Sequence, residues 1–389
     1  MIVFTFPGQG SQKPGMGEAW RDHPSWELVD EASSVLGRDL EHLLLRTEAE
    51  ELTRTDNAQL STFLTSLVVL DAVERLGVEP AAAAGHSLGE YTALVASGAL
   101  SFDEGLELVA ERGAAMLEAT TARTGTMAAV LGLEDDDVEV ACARVGRDVW
   151  VANYNAPGQV VIAGDPDDVA RAAEVAKELG AKKVMPMAVS GAFHTPFMAA
   201  ARDRLRVAID GAAMREAEIP VYANVDARPH RGGEWNELMN AQLCSPVRWR
   251  QSLQNLANDG ATVFVELGPG NVLTGMAKRT VADAKKIAVS TPDDLDALLT
   301  ALATPTEPVA VHEGEHLFAT ERMVVSPAAG VFTPIAGLEP GFTLSTGTVL
   351  GTVGDQEVRS PFAGIVVGVL AVEGERVTTS QPIVWLRTA

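Results

Sequence analysis

GHSLGEYTALVASGAL (85–100) decides the fold. Its first five residues hold Ser87 between two glycines in a G-x-S-x-G frame, and the remainder is a helix with Leu88, Tyr91, Leu94 and Val95 along an apolar stripe. A serine presented on so tight a strand-to-helix turn stands clear of the backbone, with the amide donors of the helix start close by. The preceding PAAAAG (80–85) must then be a buried strand, although alanine prefers helix, so tertiary context overrides propensity here. The same frame also fits a small-residue helix entry with a buried structural serine. The company Ser87 keeps decides between the two.

Working outward, IVFTFPG reads as a first strand ending in a glycine-rich turn, and DHPSWELVDEASSVLG as an amphipathic helix. QLSTFLTSLVVLDAVERLG is apolar on several sides and is expected to be buried all round. Strand–helix alternation of this kind predicts a parallel sheet covered by helices over 1–123 and 190–303. Between them, 124–189 carries the strands TMAAVLGL, QVVIAG and KKVMPMAV and the helices DDDVEVACARV and DPDDVARAAEVAKELG, which predicts a ferredoxin-like α+β subdomain. Residues 304–317 form a Pro/Glu-rich linker. Residues 318–389 are all strand and turn and repeat at a spacing of 34: SPAAGVFTPI (326–335) returns as SPFAGIVVGV (360–369). Two such halves predict a small pseudo-symmetric β-sandwich.

With 389 residues and 47% hydrophobic content, the chain can build two or three packed cores. A net charge of −23 argues against nucleic acid and against an acidic membrane surface. No apolar run reaches membrane-span length, and the start lacks a basic region or cleavage site, so a soluble cytoplasmic protein is expected. Two cysteines supply neither a disulfide framework nor a multi-cysteine metal site. His312 and His316 have a metal-ligand spacing but sit in the Pro/Glu-rich stretch, so no metal is expected.

A serine at its ordinary pKa needs a base. His194, in GAFHTPFM on a loop between a strand end and a helix, is the best placed of the seven histidines. Arg112 shares its helix side with Leu108 and Met116; a cation there is costly unless an anion meets it. That anion is either an internal acid, Glu90 or Glu111, or a substrate carboxylate, worth roughly 1.5–3 kcal/mol per charged hydrogen bond. Gln9, on the glycine-lined FPGQGSQ turn, can bring an amide to an oxyanion; the turn lacks the G-K-[ST] of a nucleotide loop.

FPGQGSQ, GHSLGEY, ERG, GAFHTPFM and QLCSPVRW, in this order, resemble malonyl-CoA:acyl-carrier-protein transacylases and the related acyltransferase domains of polyketide synthases, over residues 1–303. The resemblance implies an α/β-hydrolase-like core. It makes Ser87 the acyl acceptor, His194 its base and then acid, and Arg112 the holder of the malonyl carboxylate. Gln9 and the Leu88 N–H form the oxyanion hole, and Gln242 orients His194 through its backbone carbonyl. Gln59 matches a glutamine near the substrate, although Leu60 follows it where the family commonly has proline. Phe193 matches the malonyl-selective form of its motif, leaving little room for an α-methyl branch, a discrimination of about 1–3 kcal/mol. No covalently bound cofactor is implied; the substrates are malonyl-CoA and a phosphopantetheinylated acyl carrier protein. A thioesterase using the same dyad, and a non-catalytic scaffold, are the rival classes.

The 318–389 domain resembles the biotinyl/lipoyl carrier fold but departs at the attachment point. The hairpin between its halves, GTVGDQEVRS, has no lysine, and no lysine follows Lys286 anywhere in the chain. Docking to a protein partner, self-association or positioning of the catalytic domain is therefore expected of it, with an accidental structural appendage as the alternative, and not carriage of an amide-linked group.

Overall fold

The computed structural model describes residues 1–189, 191–303 and 321–387. The expected linker, 304–317, lies outside them. Two compact units are present, Met1–Pro305 and Thr306–Ala389. The first contains strands β1 (Ile2–Phe6), β2 (Ala82–Gly85), β3 (Thr126–Leu131), β4 (Val149–Ala156), β5 (Gln159–Gly164), β6 (Lys183–Pro186), β7 (Val221–Tyr222), β8 (Pro229–His230), β9 (Val263–Leu267) and β10 (Lys285–Val289). Six of them form the main sheet in the order β10-β9-β1-β2-β7-β8, parallel from β10 to β7 and closed by an antiparallel β8.

Period-two alternation sends β1 to both faces. Phe4 and Phe6 enter one core together with Ala83, while Val3 enters the other with Ala82, Ala84 and Phe264. The alanine-rich β2 is fully buried and paired on both sides, as a central strand between two helical layers must be. The helix Thr55–Glu74 is buried on nearly every side.

The subdomain sheet has the order β4-β5-β3-β6, all antiparallel, with helices Asp135–Val145 and Pro166–Glu178 packed on it around Val130, Val138, Ile162 and Val169. This βαββαβ order is the ferredoxin-like arrangement. β4 is a strand that alternation does not announce, because VWVANYNA is buried on both faces: seven of its eight residues are buried, Asn153 and Asn155 among them.

In the second unit, strands β11 (Glu321–Val325), β12 (Gly330–Pro334), β13 (Thr343–Leu344), β14 (Val349–Val353), β15 (Gln356–Arg359), β16 (Gly364–Val369), β17 (Arg376–Val377) and β18 (Pro382–Arg387) make two four-stranded sheets, β11-β18-β16-β13 and β15-β14-β12-β17. Exchanging the two sequence halves maps one sheet onto the other. The paired SP motifs are equivalent in detail: Ser326 Oγ donates to Ala328 O at 2.6 Å, and Ser360 Oγ to Phe362 O at 2.7 Å. The spacing of 34 holds from β12 to β16 but falls to 33 from β13 to β17. The lysine-free turn between the halves is at Gly354–Asp355.

The turn after β2 depends on backbone contact. A Cβ on Gly85 would lie 1.9 Å from the Gly89 carbonyl carbon and oxygen, and one on Gly89 would lie 2.0 Å from Phe6 O. Neither glycine has a positive φ; Ser87 does, at 52°. Gly85→Ala is therefore expected to lose at least about 2 kcal/mol of stability through forced backbone displacement, seen as a lowered midpoint in thermal or urea melts, whereas a change within 0.5 kcal/mol would contradict the close-approach argument.

Candidate active site

Ser87 ends the tight turn between β2 and the helix Gly89–Ala96. A left-handed backbone at a non-glycine residue costs about 1–3 kcal/mol and persists only when its surroundings fix it. Side chains do so here. Asn224 Oδ1 accepts from the Ser87 N–H at 2.7 Å, and Gln242 Nε2 donates to the Ser87 carbonyl at 2.8 Å. Asn224 Nδ2 also donates to Gly85 O at 2.7 Å, tying the turn to the end of the strand.

His194 also has a positive φ, 61°. Its loop is pinned by Thr195, whose hydroxyl donates to Ala192 O at 2.6 Å and accepts from Phe197 N at 3.2 Å, capping the next helical turn. His194 Nε2 lies 2.8 Å from Ser87 Oγ, and Nδ1 lies 3.0 Å from Gln242 O. A carbonyl can only accept, so Nδ1 carries the proton and Nε2 is free to take one from the serine. The Gln242 carbonyl is available because this residue ends the helix Trp235–Gln242, where the last carbonyls have no intrahelical donor. Burial, reinforced by the nearby Arg112 charge, holds the imidazole down to about 3, so it is a neutral base over the physiological range.

Arg112 comes from the helix Phe102–Ala122 and is 1% exposed. Gly113 beside it lets this helix approach the helix Thr55–Glu74, since a Cβ there would lie 2.9 Å from Asp56 Cα. That approach puts Gln59 Oε1 on Arg112 Nη1. Arg112 Nη2 donates to Ser87 Oγ and to Gln242 Oε1, both at 3.1 Å, and Nε has no partner among the described residues. Neither acid considered from the sequence pairs with the guanidinium. Glu111 is taken by Arg204, and Glu90 bonds to Gln242 and to the Asn224 N–H. Arg112 is thus a buried cation held by neutral oxygens, and burial lowers its pKa.

The remaining sequence candidates divide into two groups. Gln9 and Phe193 line, with Ser87, Arg112, Met116 and His194, a cavity of about 270 Å³. Among the described residues, the N–H groups of Gln9 and Leu88 donate to no acceptor. Gln59, in contrast, is fully buried and does not line the cavity; it stands behind Arg112 and joins Gln9 to it through Thr55 Oγ1, which is 3.0 Å from Gln59 Nε2 and 2.8 Å from Gln9 Oε1. His86 bonds Asn155 Oδ1 at 2.8 Å and stacks edge-on against Trp249, a fixed wall of the same cavity. Sequence reasoning missed Asn224 and Asn155, which lie outside the five motifs. Glu90 lay within the opening motif but was weighed only as a partner for Arg112. Among the described residues no cluster of three or more His, Cys, Asp or Glu could hold a metal, and no helix is long and apolar enough to cross a membrane.

Residues 3–295 match the acyl transferase domain family. The malonyl CoA-acyl carrier protein transacylase of Bacillus subtilis is 43% identical over 301 residues, 76% of this chain and 95% of the relative. That of Escherichia coli K12 is 40% identical over 305 residues, 77% of this chain and 98% of the relative. Among solved structures, a malonyl-transacylase in complex with its type II PKS acyl-carrier protein superposes with a TM-score of 0.75 at 37% identity, covering 77% of this chain and 99% of that one. An acyl carrier protein S-malonyltransferase from Vibrio cholerae gives 0.74 at 39%, covering 76% and 99%. An α/β core with a ferredoxin-like subdomain, a serine–histidine pair and a buried arginine above it thus stand in a chain that belongs to the malonyl CoA-acyl carrier protein transacylase family.

Proposed function

We propose that this chain transfers the malonyl group from malonyl-CoA to the phosphopantetheine thiol of an acyl carrier protein, in fatty acid or polyketide biosynthesis, through a seryl ester on Ser87. The observation that carries this reading is Arg112 Nη2 at 3.1 Å from Ser87 Oγ, a charge without an acid partner directly beside the nucleophile. In a malonyl thioester the carboxylate carbon is two bonds from the reacting carbonyl carbon. A serine attacking that carbonyl thus places the carboxylate within reach of the same guanidinium.

His194 Nε2 takes the Ser87 proton as Oγ attacks the thioester carbon. The oxyanion forms between the N–H groups of Gln9 and Leu88, donors that need no reorganisation to receive it. Collapse breaks the C–S bond, and His194 returns the proton to the leaving coenzyme A sulfur. In the second half the carrier thiol gives its proton to His194 and attacks the ester, and Ser87 leaves with that proton. Phe193 narrows the cavity beside the acyl group and favours malonyl over a branched analogue. No group beyond the two thioester partners enters this sequence. Cytoplasmic residence agrees with both substrates.

Three outcomes test the reading. Intact-mass measurement after mixing with malonyl-CoA should show a malonyl adduct that persists without an acceptor and vanishes in Ser87→Ala; an adduct on the Ala variant would remove Ser87 from its role, and rapid release of free malonate would identify a hydrolase. Arg112→Ala should cut kcat/KM for malonyl loading by about 10–100-fold while acetyl loading falls much less, and an equal loss for both acyl groups would make Arg112 structural. Because the His194 pKa is depressed, the base form is lost only as pH falls towards that low value. kcat/KM for loading should therefore stay level from pH 8 down to roughly pH 5, and a limb centred on the ordinary histidine value near 6.5 would contradict the buried neutral imidazole.

A further inference from the structure

Among the described residues, Glu90 is the one fully buried acid of this site that the reaction above does not use. It sits in the first turn of the helix after Ser87, and both its oxygens accept from nitrogen. Oε1 takes the Asn224 backbone N–H at 2.6 Å, and Oε2 takes one proton of Gln242 Nε2. The other proton of that amide goes to the Ser87 carbonyl at 2.8 Å, and the amide oxygen receives Arg112 Nη2 at 3.1 Å.

These contacts leave the Gln242 amide one workable orientation. Turned over, its oxygen would face the Ser87 carbonyl, which cannot donate, and its NH₂ would face the guanidinium, which cannot accept, while burial pushes the Glu90 carboxyl up to about 8 and leaves its oxygens as the amide's further anchor. Without Glu90 the amide keeps one acceptor fewer and turns more freely. The position of Glu90 also matters. It is separated from Arg112 by the width of an amide, so the cation is steered by a neutral oxygen and makes no ion pair with the acid. A direct carboxylate contact would occupy the fork that a substrate carboxylate needs.

We propose that Glu90 is a positioning residue for acyl selection: it fixes the Gln242 amide so that Arg112 is held by neutral oxygens and its charge stays directed at the cavity above Ser87. The inference rests on the malonyl-transfer reading. Through Asn224, whose N–H it accepts and whose side chain accepts the Ser87 N–H at 2.7 Å, Glu90 also steadies the strained turn. A purely structural role would end there and would treat all acyl groups alike.

The test uses the full chain and reads the ratio of malonyl to acetyl loading, from acyl-enzyme formation with malonyl-CoA and acetyl-CoA. In Glu90→Gln, which keeps the shape but replaces one of the two acceptor oxygens with an NH₂ and so leaves either the Asn224 N–H or the Gln242 amide without its acceptor, malonyl loading should fall about tenfold further than acetyl loading, chiefly through a raised KM. The double variant Glu90→Gln/Arg112→Ala should show no greater loss of the ratio than Arg112→Ala alone, because one residue acts through the other. A folded Glu90→Gln chain with a ratio within twofold of the parent overturns the proposal, as does full additivity in the double variant. Should Glu90→Gln not fold, Gln242→Met decides. It removes the arm that Glu90 holds and retains the backbone carbonyl on His194, so its ratio should drop to a similar degree, and an unchanged ratio overturns the proposal. Absence of any malonyl ester on the parent chain is a separate result and refutes the underlying reading of Ser87 instead.

Discussion

Everything in the site hangs on how closely the helix Gly89–Ala96 approaches the ends of β1 and β2. With Gly89 against the Phe6 carbonyl and Gly85 against Gly89 itself, there is no space for a methyl group at either place. The chain can turn only within the residues between, and Ser87 takes up the left-handed backbone. The glycines supply room, while the strain sits on Ser87. The strained peptide is then gripped on both sides by amide side chains from distant segments, Asn224 and Gln242, so the rest of the core is recruited to hold one residue.

Electrostatics follows from the same burial. A desolvated guanidinium without a carboxylate partner is a high-energy arrangement, and its field helps keep His194 neutral. Bringing in a carboxylate relieves both conditions at once. The cation gains its partner, and one of the influences that depress the imidazole is offset, which makes it a better proton acceptor in the complex than in the free protein. On the proposed function, binding of an acidic acyl group and activation of His194 would thereby be linked through Arg112, and a neutral acyl group would bring neither gain.

The three side chains that meet in the candidate site were legible in the sequence because each is carried by a short motif whose chemistry is local: the glycines around Ser87, the loop of His194 before its capped helix, an arginine among apolar neighbours. The parallel core and the subdomain were legible from alternation and length. What escaped notice was polar and interior. Asn224 stands alone in a stretch without periodicity, and its purpose exists only once β7 has brought it under Ser87. β4 hides two asparagines in a buried strand, which removes the two-residue rhythm that would announce it. Gln59 was placed near the substrate, whereas helix packing at Gly113 sets it behind the arginine. For Arg112 the sequence allowed an internal acid or a substrate acid, and only the three-dimensional arrangement shows that amides took the internal positions.

The duplicated sandwich has a consequence for how it assembles. Each half contributes strands to both sheets: β11 and β13 of the first half flank β18 and β16 of the second, and the reverse holds across the core. Neither half can complete a sheet alone, so the two are interlocked despite being nearly equivalent. β11 and β18 open and close the described part of the unit, and they pair along Glu321–Arg387 to Val325–Pro382. Forming that pair requires closing a loop of almost the whole unit. The closure entropy of that pairing is consequently the largest of any strand pair described in the unit.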